Sequence, residues 1–198
     1  MAALSCEVVR PADQSAKGSQ AIRVSFICTA NRARSPFAAA LLRRAGTAFP
    51  IVVDSFGTLE REGAAALPQA VRAARAFGVD LGEHRARSAV PGSLTGSDLV
   101  IGFESFHVAH AVVVGGAPTS RVFLLVDLAR ALDGIDSPRD SREFREAVES
   151  AHAVRSASVW PPGSIPDPVG GSDRRFLETY EEIDRMVAIV SMRLFGAS

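Results

Sequence analysis

One stretch of the chain limits its possible folds more than any other. The short, β-branched run Ile22-Arg-Val-Ser-Phe-Ile27 leads without a spacer into Cys28-Thr-Ala-Asn-Arg-Ala-Arg-Ser-Pro36, and then into an Ala- and Leu-rich segment over 37–49. The first reads as a buried strand and the last as a helix, with Ser35 expected as N-cap and Pro36 at the first helical position. A strand that feeds a helix through a tight turn is half of a βαβ unit, and the rest of the chain supplies more of them. Strands are expected at 51–55, 98–102 and 121–126, and helices at about 67–77, stopped by Gly78, and about 104–113. Strands alternating with helices argue an α/β domain with a parallel sheet and right-handed crossovers. Near the C-terminus Phe176, Tyr180, Ile183, Val187, Val190 and Leu194 step by four and three, which draws one apolar stripe along a helix.

Two regions stand outside this rhythm. Residues 1–20 are polar and small, and read as a loose tail; 21–198 form the domain. Within it, about 133–164 reads as an insertion, charged, with a helix over 141–155 whose Phe144, Val148 and Ala151 share a face, and ending at Val159-Trp-Pro-Pro-Gly-Ser-Ile-Pro166. With 198 residues, 47% of them hydrophobic, one domain with a full core is expected.

The turn after the first strand can do chemistry. Successive backbone N–H groups at a strand-to-helix turn point inward, and the helix dipole adds partial positive charge, so an anion is held there. A cysteine at the head of such a turn has its thiolate stabilised and becomes a nucleophile. Arg34 can fold its planar fork over the same cradle and grip two phosphate oxygens, while Ser35 can donate its hydroxyl to the Cys28 sulfur. The bare Cys-x5-Arg spacing is weak, because arginine supplies every basic residue but Lys17 and chance matches are common. The strand before, Asn31 inside and Ser35-Pro36 after make the constellation specific.

Charge and cysteine usage narrow the class further. Acids and bases balance at 22 each, so no global field recruits nucleic acid or an anionic membrane. Cys6 and Cys28 are too few for a disulfide scaffold, the N-terminus lacks a signal-peptide pattern, and no apolar run is long enough to span a bilayer. A cytoplasmic location is the expectation. Glu104, His107 and His110 recur at a helical spacing of three, but such trios are more often solvated than metal-bound, and no metal is expected.

The segment from Val24 to Leu42 resembles the N-terminal signature of the low-molecular-weight protein tyrosine phosphatase family, bacterial type. The likeness continues in family order at Asp54-Ser-Phe-Gly-Thr58, at Gly78–Arg87, at Asp98-Leu-Val-Ile101 and at Ile165-Pro-Asp-Pro168. The resemblance implies a four-stranded parallel sheet with helices on both faces. It implies that Cys28 attacks phosphorus to give a cysteinyl-phosphate, with Arg34 and the backbone of Thr29, Ala30, Asn31, Arg32, Ala33 and Ser35 holding the phosphate oxygens. Asp167 would then protonate the leaving oxygen and activate water, though from its Pro-Asp-Pro setting alone it reads equally as a turn residue. Asn31, Ser55 and His84 match positions that brace the loop, though His84 reads also as an exposed helix-end histidine. No cofactor is implied, and the partner is a phosphorylated protein or a small phosphate ester.

The chain also departs from the family pattern. Ala30 stands where glycine is usual, raising the prospect of backbone strain if that position needs positive φ. Ala33 replaces a second cysteine, so no neighbouring thiol could trap an oxidised Cys28. Arg32 replaces isoleucine or threonine, and would favour a second anionic group on the substrate or point to solvent. Arg61 and Val169-Gly170 stand where aromatic walls are common, and Trp160 is a candidate substitute wall, or else a residue pinning the insertion to the domain. Two other functions are compatible with the same residues, a thiol-dependent arsenate reductase and a non-catalytic phosphate-binding module.

Overall fold

The computed structural model describes residues 21–45, 47 and 49–196. The expected tail over 1–20, with Cys6, lies outside them. Four parallel strands form the sheet: β1 (Ile22–Cys28), β2 (Ile51–Gly57), β3 (Leu99–Gly102) and β4 (Val122–Leu124), in the order β2-β1-β3-β4. The helices are α1 (Arg34–Arg44), α2 (Pro68–Arg75), α3 (Ser105–Val113), α4 (Leu125–Ala131), α5 (Ser141–Ala157) and α6 (Asp173–Phe195).

Strand alternation sorts the sheet's side chains into two cores. Val24, Phe26, Leu99, Ile101 and Phe123 face the larger core, together with Phe37 and Leu42 of α1, Phe144 and Val148 of α5, and the whole expected stripe of α6. Ile27, Val100 and Val122 face a smaller core with Leu94 and with Ala111 and Val108 of α3. Helices therefore cover both faces. The charged segment is no appendage at its centre: Phe144 is fully buried and meets Phe49 and Phe195 ring to ring.

The chain leaves β1 for β2 on one side and reaches β3 on the other. That makes the C-terminal end of β1 the switch point of the sheet, where open α/β folds leave a crevice for ligands. Cys28 is the last residue of β1.

Two local expectations need correction. β4 ends at Leu124, because the apolar run continues as α4: Leu125, Leu128 and Ala129 are buried at helical spacing, and Asp127 sits in the helix's first turn. α1 begins at Arg34 with Ala33 as N-cap and no side-chain cap; Ser35 is inside the helix. Its hydroxyl is engaged elsewhere.

Candidate active site

The turn over 29–33 is held open from every side. Asn31 is fully buried and is the one non-glycine residue with positive φ among those described, at 53°. That conformation suits asparagine better than most residues. It aims the Asn31 amide inward, where Nδ2 donates to Ser35 Oγ (2.8 Å) and Ser55 Oγ (2.9 Å), while Oδ1 accepts from the Arg87 N–H (2.8 Å). Ala30 has no positive φ, so its Cβ causes none of the strain considered above. The glycine that the loop requires is Gly57, at the end of β2. A Cβ there would lie 2.8 Å from the Ala30 carbonyl carbon and 2.9 Å from the Asn31 nitrogen.

Further braces come from other elements. Thr58 and Leu59 donate their N–H groups to the carbonyls of Cys28 and Thr29. The His84 ring, expected either as a brace or as an exposed histidine, places Nε2 2.7 Å from the Asn31 carbonyl oxygen. Burial, foremost, lowers its pKa, so the ring is neutral and donates. Tyr180 of α6 stacks on Phe37 at 3.9 Å and donates its hydroxyl to the Ala33 carbonyl at 3.1 Å. Its phenol is held well above the ordinary range, first by burial and then by the charges of Cys28 and Asp167.

Within this frame the reactive groups converge. Ser35 Oγ lies 3.0 Å from Cys28 Sγ and 3.1 Å from the Phe56 carbonyl. Because Asn31 donates into the same oxygen, the hydroxyl proton is free to go to the sulfur. None of the N–H groups of residues 29–35 donates to a protein acceptor among the described residues. They are the unsatisfied donors of a helix N-terminus and its preceding turn, and an anion would satisfy them.

The guanidinium of Arg34 is fully buried and spans the site. Nη1 donates to Glu104 Oε2 (2.6 Å) and the Ile165 carbonyl (2.9 Å); Nη2 donates to Thr29 Oγ1 (3.0 Å) and Asp167 Oδ2 (2.7 Å). Nε is buried and has no partner among the described residues. A buried donor left unmade is expensive, so Nε marks a place for an acceptor. The other oxygen of Asp167 accepts from the Val169 N–H (3.1 Å), so this residue forms its turn and reaches the site as well.

Two residues weighed for a metal turn out to belong here. Glu104 is the ion partner of Arg34, and His107, which a solvated trio would expose, is fully buried. Its Nδ1 accepts from the N–H groups of Glu104 (3.0 Å) and Phe103 (3.4 Å), so the proton is on Nε2, which donates to Thr29 Oγ1 (3.2 Å). Burial, then the nearby Arg34 and His110, push its pKa down to about 3. Spacing by three at a helix start had a different meaning: it folds the ring of His107 back over its own N-cap. Among the described residues no cluster could hold a metal ion.

Around the mouth, Arg32 fixes its Nε on the Ala65 carbonyl (2.7 Å), and Arg61, Leu59 and Val169 are exposed. No aromatic ring occupies those rim positions. Trp160 does not replace one: it lines a groove with Arg130 of α4 and with Ile189 and Met192 of α6, far along the helix from Tyr180. Of the two thiols that a reductase relay would need, Cys28 is described and free, and Cys6 is outside the described residues.

Comparison with known proteins points the same way. The family described as low molecular weight phosphotyrosine protein phosphatase matches residues 23–156. The low molecular weight protein-tyrosine-phosphatase of Streptomyces coelicolor is 36% identical over 157 residues, covering 69% of this chain and 93% of that protein. A probable low molecular weight protein-tyrosine-phosphatase, EpsP of Ralstonia nicotianae, is 29% identical over 140 residues, covering 70% and 93%. Among solved structures, the low molecular weight protein tyrosine phosphatase from T. tengcongensis shares the fold with a TM-score of 0.64 at 24% identity, covering 88% of this chain and 100% of that one. The YwlE arginine phosphatase from Geobacillus stearothermophilus does so with a TM-score of 0.64 at 22% identity, covering 86% and 90%.

Proposed function

Because the chain belongs to the low molecular weight phosphotyrosine protein phosphatase family, we propose that it hydrolyses phosphate monoesters through Cys28, Arg34 and Asp167, with phosphotyrosine on proteins as the first-choice substrate. The observation that carries this assignment is the buried, unpartnered Nε of Arg34, in a guanidinium whose Nη2 already touches Asp167. A phosphoryl oxygen satisfies Nε, and the carboxyl of the acid is then beside the ester oxygen.

The reaction has two displacements. In the first, Cys28 Sγ forms a bond to phosphorus as the ester P–O bond breaks, and Asp167 gives its proton to the departing oxygen. The loop N–H groups and Arg34 stabilise the three equatorial oxygens in a loose transition state, a role that rewards donors fixed in advance. In the second, water attacks phosphorus, Asp167 takes the water's proton and the S–P bond breaks. Inorganic phosphate leaves, and Ser35 again donates to the sulfur. The chemistry needs only side chains and backbone.

The rim bears on the substrate. Leu59 and Val169 offer aliphatic rather than aromatic contacts to a phenyl ring, so tyrosine selectivity rests on weaker walls here. Phosphoarginine and small phosphate esters are the next candidates. The location proposed is the cytoplasm; among the described residues no helix is long and apolar enough to cross a membrane.

Hydrolysis of p-nitrophenyl phosphate over about pH 5 to 8 tests the reading. Turnover should vanish in Cys28→Ser and fall about 10²–10⁴-fold on phenyl phosphate in Asp167→Asn. Wild-type protein that binds phosphate yet turns over neither ester would overturn the assignment in favour of a binding module.

A further inference from the structure

The segment that carries Asp167 is exposed over much of its length. Between the end of α5 and Asp167, Val159, Pro161, Pro162 and Ser164 are exposed, and Ile165 alone is buried. A cavity of about 320 Å³, lined by Val108, Val122, Leu124, Arg155 and Pro162 among others, opens beside the segment.

Polar bonds do the holding, and the first of them runs to a buried carboxylate outside the active site. Asp127, in the first turn of α4, is 2% exposed. Its Oδ1 accepts the Gly163 N–H at 2.8 Å, and its Oδ2 accepts Nε of Arg155, in the last turn of α5, at 2.9 Å. Two residues on, the Ile165 N–H donates to the Phe103 carbonyl (2.8 Å), and its own carbonyl accepts from Arg34 Nη1. Asp167 then reaches Nη2 of the same guanidinium. A buried carboxylate that loses a partner pays a large desolvation penalty, so Asp127 ties the exit of α5 and the acid-bearing segment to one point. Gly163 is part of the fit. A Cβ there would come within 2.5 Å of the Val126 side chain.

We propose that Asp127 is a positioning residue for the reaction: by fixing Gly163 it sets where the Asp167 carboxyl meets the leaving oxygen. The inference rests on the reading of Asp167 as the acid. It also gives the segment between β4 and Asp167 a task, since α4 supplies the carboxylate and α5 the arginine that neutralises it. Proton transfer requires heavy atoms to approach within about 2.6–3.2 Å. A shift of about 1 Å in the acid can therefore cost about 10²-fold on a step that needs it.

The test is leaving-group dependence, which a merely structural role would not change. Phenyl phosphate needs its leaving oxygen protonated far more than p-nitrophenyl phosphate does. Asp127→Asn should lose about 10-fold or more in kcat/KM, which reports the first displacement alone, on phenyl phosphate, and no more than about 3-fold on p-nitrophenyl phosphate. Gly163→Ala, which leaves Asp127 and Arg155 intact and displaces only the segment, should reproduce that signature and covers the case in which Asp127→Asn does not fold. Equal losses on both esters in the variants that fold, or no loss on either, would overturn the proposal. Asp167→Asn is the reference: should it show no preference for losing phenyl phosphate turnover, the acid assignment itself falls, and the positioning role with it.

Discussion

The loop over 29–35 and the segment that carries Asp167, proposed as phosphate cradle and acid, are two halves of one site built on opposite plans. The loop is fixed by at least one bond from each of several elements. Ser55 and Thr58 reach it from β2 and the turn beyond, His84 and Arg87 from the following loop, His107 from α3 and Tyr180 from α6. Cys28, Asn31, Arg34 and Ser35 are all buried within it. The acid segment, by contrast, is exposed for most of its length and hangs on a few polar bonds ending at Asp167, which keeps a third of its side chain in solvent. The difference matches the two tasks. Oxyanion stabilisation is effective only when its donors need no reorganisation, whereas an acid must let substrate enter, give up a proton and then meet a water. A rigid cradle and a tethered acid satisfy both.

If the cradle is the preorganised half, damage to its fork should be the costliest single change short of removing Cys28. Arg34→Lys keeps the charge and loses the planar fork, including Nε, and leaves Glu104, Thr29 and the Ile165 carbonyl short of donors. We expect kcat/KM on p-nitrophenyl phosphate, which reports the first displacement, to fall about 10²–10³-fold. On that same activated ester Asp167→Asn should cost far less. Equal costs for the two variants would break the comparison, because they would make acid placement as demanding as the cradle even where the leaving group needs no proton.

The middle-sized effect is in stability, and it belongs to the loop half alone. The unfolded chain titrates His107 near 6.5, whereas the folded protein holds it down to about 3, mainly by burial. A depressed pKa stabilises the fold above the unfolded value, and the contribution is lost as pH falls from about 6.5 towards 3, because the unfolded chain then takes a proton that the folded ring refuses. Lowering the pH from 7 to 5 should therefore cost the wild type more than His107→Gln, with the gap between them narrowing by up to about 1.4 kcal/mol per pH unit below 6.5. Urea midpoints at the two pH values measure it. A gap independent of pH would mean that the ring is not held neutral against Thr29 and would remove one of the loop's braces.

Much of this is legible in the sequence alone, and the two halves differ again in how much. The strand, turn and helix around Cys28 could be read because the local signals agreed: β-branched run, Asn31 in the turn and Pro36 after it, then Ala and Leu. The stripe of α6 was legible for the same reason, since one helix face buried on a sheet imposes its own period. What escaped was set by tertiary partners. Ser35 has the chemistry of an N-cap, but its hydroxyl goes to the Cys28 sulfur and the Phe56 carbonyl, neither of which local sequence can foresee. Glu104 and His107 stood out by spacing, yet only the fold shows that they serve Arg34 and Thr29. Tyr180 read simply as a member of an apolar stripe, and its hydroxyl could reach Ala33 only once α6 had docked on α1. Asp127 directly follows an apolar run that reads as strand up to its neighbour Val126. The acid half was correspondingly the harder one to read.

The smallest effect expected concerns the rim, where the two halves meet the substrate. Arg32 belongs to the rigid loop: its carbonyl accepts from the Leu67 N–H, and its Nε is fixed on the Ala65 carbonyl. Its two terminal nitrogens have no partner among the described residues. A guanidinium so anchored has lost much of its freedom before substrate arrives, which lowers the entropic cost of gripping a second anionic group. It also remains half in solvent, where an ion pair is worth only about 0.2–1 kcal/mol. Arg32→Ile should therefore lower kcat/KM for a phosphotyrosine peptide with an adjacent glutamate by about 2- to 5-fold relative to the alanine-flanked peptide, through KM rather than kcat. Salt should erase the difference, because exposed charges are screened over about 8 Å at physiological ionic strength. A preference that survives both the substitution and high salt would have to come from the other side of the cleft, around Val169, and would assign substrate choice to the acid half.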